Sequence, residues 1–276
     1  MASAHGKPLF CWHVSRYGES AFILGDVRVP EAELLPLPSA IKTAFDGADL
    51  LIGCSPTHAD AERRSRELKF LLYPEGICVL NRLSPETKAE LERYCHATGF
   101  SVEPNCRLKP AFLADVIACH ELGLTDLSIH LGLCNYLARE ARQIAKPMAD
   151  LLGPDALKLM SEMDGVQQDR ILLDCLRSRE AMVDDSRLAF SAWQSGDLSV
   201  MQQAADRHFN RYAYVPELRA TEVATISGMI SRVEELLHTG NVSFVVVGAV
   251  YLLGHDGLLE GLRRGGARVE QLVENP

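Results

Sequence analysis

The 276-residue chain lacks any apolar run near the roughly 18 to 20 residues that a membrane-spanning helix needs. Its first twenty residues, MASAHGKPLFCWHVSRYGES, lack the apolar stretch that forms the core of a secretory signal. A cytoplasmic protein without a membrane is therefore the expectation. It also has no excess of basic residues: 28 Lys and Arg stand against 37 Asp and Glu, a formal net charge of -9 with pI near 5.5. That balance argues against nucleic acid as a partner, which needs a broad positive surface. Cysteines number eight, yet Cys11, Cys54, Cys78, Cys95, Cys106, Cys119, Cys134 and Cys175 stand singly, with no C-x-x-C pair and no zinc-ligand spacing. They read as reduced thiols. P-loop, dinucleotide-binding, Ser-elbow and H-E-x-x-H patterns are missing too. No linker rich in Pro, Gly and Ser interrupts the chain, so residues 1–276 read as one domain.

What is present is a globular core, at 47% hydrophobic residues, and a change of pattern along the chain. CWHV and SAFILG read as strands, and PLPSAIKTAFDGADLLIGC as a helix followed by a strand, with Ser39 placed to cap the helix. SPETKAELERYCHATG is punctuated by Ser84 as N-cap, Pro85 at the first helical position and Gly99 as the stop. FSVEP then reads as a short β segment. From Pro110 to about Thr239 the pattern is almost continuously helical, RILLDCLRSREAMV and LSVMQQAADRHFNRY being amphipathic. VSFVVVGAV is the most strand-like segment, DGLLEGLRRGG a short helix and ARVEQLV a last strand. The fold class that follows is α+β: a mixed β-sheet built from the N- and C-terminal segments and flanked by helices, with a helical insertion over 110–240.

Two segments look like counterparts, SAFILGDVRV and VSFVVVGAVYLLGHDGL, each an apolar strand ending in Gly with a polar or aromatic residue three positions on. If the two strands share a sheet and end on the same side, Gly25, Arg28, Gly248 and Tyr251 border one crevice. Bland readings stand beside this one. Arg28 could be a strand-end residue paired with an acid, and Tyr251 and Cys54 core or rim residues. Asp256 reads as the cap of DGLLEGL with His255 exposed before it, His120 as a satisfied core histidine, and His96, His208 and His238 as solvated helix positions. Asp184 and Asp185 read as a solvated helix end.

The order of these features resembles the TraB/GumN family, related to the Tiki proteins and to the erythromycin-esterase and ChaN group. The resemblance is carried by the LFCWHV opening and the strand running into GDVR. It continues through PLPSAIKTAFDGADLLI, YPEGICVLNRLSPETKAELERY and the Lys-Pro pairs Lys109–Pro110 and Lys146–Pro147. Its most specific block is FVVVGAVYLLGHDGLLEGLRRGGARVEQL. It implies two Gly-x-x-His motifs and an acidic residue forming a metal-dependent hydrolytic site. This chain departs at each position: Arg28 and Tyr251 replace the histidines, Cys54 the acid, and Cys134 a further expected aspartate. Arg28 has no lone pair for a metal and would repel a cation, and a phenol is a poor ligand for zinc or manganese at neutral pH. The expectation is the family fold without a metal or other cofactor, binding a partner protein or a small anionic ligand through Gly25, Arg28, Cys54, Gly248, Tyr251, His255 and Asp256. The alternative is a hydrolase rewired around Cys54, Tyr251, His255 or Asp256. A helix-mediated homodimer is compatible with the amphipathic middle region.

Overall fold

The computed structural model describes residues 6–27, 35–53, 68–125, 132–152, 155–211 and 213–274. Arg28 and Cys54 lie outside them.

The fold is α+β. Its sheet has six strands: β1 (Lys7–Arg16), β2 (Glu19–Asp26), β3 (Leu50–Ile52), β4 (Met148–Ala149), β5 (Ser243–Gly248) and β6 (Arg268–Glu274). Their spatial order is β4-β3-β5-β2-β1-β6. β1 and β2 form a hairpin whose two turn residues, Tyr17 and Gly18, both have positive φ, the backbone that suits the right-handed twist of paired strands. β6 pairs antiparallel to β1, whereas β2, β5, β3 and β4 pair in parallel. Only β1 therefore runs against the rest. β5 is buried along Ser243–Val247, which is why its sequence is a continuous β-branched and aromatic run instead of an alternation: it lies in the middle of the sheet with both faces covered.

Ten helices with both ends among the described residues accompany the sheet. They are α1 (Ser39–Gly47), α2 (Pro85–Thr98), α3 (Pro110–Gly123), α4 (Leu133–Gln143) and α5 (Asp155–Glu162), then α6 (Gly165–Arg177), α7 (Arg179–Ser195), α8 (Leu198–Arg211), α9 (Pro216–Leu236) and α10 (Leu258–Arg264). Nine of the ten start and stop between the early strand β3 and the late strand β5 or follow it, so the sheet is assembled from both ends of the sequence. One core packs the sheet against Phe45, Leu137, Trp193 and Val233. A second, built by Leu91, Tyr94, Leu113, Ile117, Leu172 and Leu176, joins α2, α3 and α6 away from the sheet.

Four local expectations are corrected. FSVEP is not a strand; its chain turns into a 3-10 turn at Glu103–Asn105, where Pro104 has no N–H to offer a ladder. RILLDCLRSREAMV is two helices, interrupted at Ser178. Ser39 does not cap α1: its hydroxyl and N–H both donate to the Glu274 carboxylate at 2.7 and 2.8 Å. The N-cap of α10 is Gly257 and not Asp256. By contrast Ser84, Pro85 and Gly99 occupy the capping positions expected of them in α2, with Ser84 Oγ accepting from the Thr87 N–H and Gly99 in the left-handed region at φ 73°. Among the described cysteines Cys134 is disulfide-bonded, which corrects the reading of all of them as reduced.

Candidate functional site at the strand ends

β2 and β5 are adjacent and parallel, with Gly25 opposite Val247 and Asp26 opposite Gly248. Their C-terminal ends therefore open on the same side, where open α/β sheets place their ligand crevices. A cavity of about 590 Å³ lies there, closed by α3, α5, α6, α7, α8 and α9. Gly248 and Tyr251 line it. Gly25 does not: a Cβ there would meet Leu252 Cδ1 at 2.8 Å, and its carbonyl accepts a buried hydrogen bond from Trp193 Nε1 at 2.9 Å. Gly25 thus serves packing between β2 and the chain leaving β5. Its neighbour Asp26 lines the cavity and accepts from the backbone N–H of Leu133 at 3.1 Å, so a strand-end carboxylate holds the N-terminus of α4.

Tyr251 ends a 3-10 turn, Ala249–Tyr251. Its ring meets those of His208 and Phe209 edge to face, with centroids 5.7 and 5.9 Å away. His255 and Asp256 are exposed, set 3.4 Å from Arg264 and 3.6 Å from Arg219 respectively, and neither lines this cavity. Of the proposed site residues within the described chain, the fold therefore brings together Gly248 and Tyr251, seats Gly25 just behind them, and leaves the His255–Asp256 pair outside.

The cavity's other polar groups come from the helices. Asp185 of α7 is bonded to Arg211 of α8 and lies 3.3 Å from Arg207. His208 Nε2 stands 3.4 Å from Glu222 Oε1 but forms no hydrogen bond among the described residues. Glu121 of α3 is 3.9 Å from Arg179, while Arg179 donates instead to the Leu176 carbonyl at 2.9 Å. Glu121 Oε2 is buried. Behind it Tyr94, nearly fully buried, shares a 2.7 Å hydrogen bond with His120 Nδ1, as suits a core histidine. Burial first, and then the Glu121 charge, hold the Tyr94 phenol well above its usual range. Cys175 lines the cavity as well, and burial, reinforced by Asp115, pushes its thiol up to about 12.

His208 and Asp185 correct the reading of both as solvated. The sequence did hold a signal. His208 lies four residues after Ala204 and seven after Met201, both buried, and Asp185 four before buried Ala189. Glu121 follows Ile117, and Glu222 follows Leu218, at the same spacing. Each is a polar residue in register with an apolar stripe.

Of the three positions the resemblance assigns to ligands, only Tyr251 is described, and its ring is packed edge-on against two aromatic neighbours. No group of three His, Cys, Asp or Glu side chains among the described residues has an arrangement that could hold an ion. No helix among them is long and apolar enough to cross a membrane.

A mixed sheet with its parallel strand ends opening on a helix-walled cavity defines an α+β protein with a strand-end crevice. The family model described as TraB/PrgY/gumN matches residues 10–271, nearly the whole length, and the chain belongs to that family. No curated protein and no solved structure matches it.

Proposed function

We propose that this TraB/PrgY/gumN protein binds a small molecule in the cavity at the ends of β2 and β5 and does not carry out metal-dependent hydrolysis. The observation that carries the reading is the environment of Tyr251, a phenol wedged against His208 and Phe209 where the family resemblance calls for a ligating histidine. A cavity of about 590 Å³ is in the range of small-molecule sites, and its wall mixes apolar side chains with a few polar groups. The expectation of an anionic ligand rests on Arg28, outside the described residues. The test is elemental analysis of the purified chain before and after chelation, joined to a thermal-shift screen of small molecules on the wild type and on Ala118→Trp, which fills the cavity. Less than a tenth of a metal equivalent is expected, with stabilising compounds that lose their effect in the variant. One metal equivalent surviving chelation, or compounds that stabilise both proteins alike, overturns the proposal.

A second reading, a metal-free hydrolase with rewired residues, is favoured by one contact, His208 Nε2 at 3.4 Å from Glu222. Its general base would then be His208, and of the three earlier candidates among the described residues Tyr251 lines the cavity with it. His208→Gln should abolish any hydrolysis found in the wild type without lowering the melting temperature; hydrolysis that survives the change sinks this reading.

A further inference from the structure

Resting on the small-molecule reading above, we infer that the ligand of this cavity is an organic amine, bound as an ammonium ion with its hydrocarbon part against the apolar wall. The charge of the lining points that way. Among the described residues five carboxylates, Asp26, Asp115, Glu121, Asp185 and Glu222, face two guanidiniums and one imidazole. An enclosed wall with that excess concentrates cations and opposes anions.

The cations of the wall are also engaged. Arg211 is bonded to Asp185, and Arg179 gives a hydrogen bond to the Leu176 carbonyl. Glu121 is in the reverse position. Its Oε2 is buried, the Tyr94 hydroxyl bears on the carboxylate, and its Oε1 stands 3.9 Å from the nearest guanidinium, too far for a hydrogen bond. The Glu121 carboxylate, which the Tyr94 hydroxyl also supports, gains from a positively charged donor within the cavity. An ammonium supplies three donors and one positive charge.

The apolar part of the wall, Ala114, Ala118, Met160, Ile171, Met182 and Leu218, comes from five helices and fits an alkyl or aryl skeleton. Methionine in such a surface adapts to a ligand and packs well against an aromatic ring.

Calorimetric titration of the full chain with 2-phenylethylamine tests the inference, with 2-phenylethanol and 3-phenylpropionate as neutral and anionic analogues of nearly the same skeleton. The amine is expected to bind at least tenfold more tightly than either analogue. Glu121→Gln, which keeps the shape and removes the charge, should weaken the amine at least tenfold and leave the alcohol within twofold; Glu222→Gln provides a second carboxylate change if the first unfolds. Glu260→Gln, a partly exposed carboxylate of α10 outside the cavity lining, should change nothing. Analogues that bind as well as the amine and lose binding in Ala118→Trp would overturn the ammonium inference while leaving the cavity reading intact. Binding of the amine that survives Ala118→Trp would instead overturn the cavity reading. No binding of the amine, or binding insensitive to both carboxylate changes, overturns the inference.

Discussion

Trp193 Nε1 donates a 2.9 Å hydrogen bond to the Gly25 carbonyl across 168 residues of sequence, tying helix α7 to the last turn of strand β2. The bond is buried, so deleting the donor leaves a carbonyl that water does not reach. Trp193→Phe keeps an aromatic ring in place and removes the N–H. We expect it to destabilise the fold by about 2 kcal/mol, the scale of an unsatisfied buried acceptor plus lost packing. Urea denaturation checks this; a midpoint unchanged from wild type would mean that the bond contributes nothing.

The thiols divide by environment. Burial pushes Cys11 and Cys175 up to about 12, and Cys175 Sγ in addition donates to the Ala114 carbonyl at 3.3 Å. Both should remain un-ionised and unreactive in the folded protein. Cys78, Cys106 and Cys119 are partly exposed. Iodoacetamide at pH 8, read by peptide mass spectrometry, should label those three first, and Cys11 and Cys175 only in denaturant. Early labelling of Cys175 would mean that the cavity thiol is a working nucleophile after all.

Glu274, near the end of β6, accepts from the N–H and hydroxyl of Ser39 and the N–H of Ala40 at 2.7 to 3.1 Å. Those donors, the Ala40 N–H foremost, hold its carboxyl below the usual value of 4.5. A folded-state value lower than the unfolded one contributes stability that is present above pH 4.5 and disappears as pH falls through the folded value. Glu274→Gln should therefore lower the melting temperature at pH 7, and the gap to wild type should close on acidification below pH 4.5. A gap that is constant from pH 7 to pH 3 would show that shape, and not charge, is what matters at this helix start.

Five of the six strands were legible because they are short apolar runs, and because the parallel ends of β2 and β5 follow from two segments of the same design; β4, two residues within the helical middle, was not. The cap of α2 was legible for a similar reason: Ser84, Pro85 and Gly99 act within one helix. The cavity was not. Its polar wall consists of Glu121, Asp185, His208 and Glu222, from four helices spread over about a hundred residues. Each taken alone fits a solvated helix face. Only the packing of α3, α7, α8 and α9 turns the four toward a common space. Ser39 was misread for a related cause: its partner, Glu274, is 235 residues away.

Gly53 closes β3 with φ at +96°, a conformation that L side chains rarely adopt. A Cβ there would stand 2.1 Å from the Val246 carbonyl oxygen, which belongs to the neighbouring strand β5 and cannot swing aside as a flexible side chain would. Gly99, at φ +73°, also sits in the left-handed region, but a Cβ there meets nothing within 4 Å. The pair separates backbone strain from collision. Gly99→Ala should cost about 1 kcal/mol, the left-handed penalty alone. Gly53→Ala should cost roughly 3 kcal/mol or more, because β3 must also move away from β5. Urea denaturation of the two variants measures both. Equal losses would mean that the β3–β5 pairing yields easily, and the strand ends bordering the cavity would then be softer than their parallel register implies.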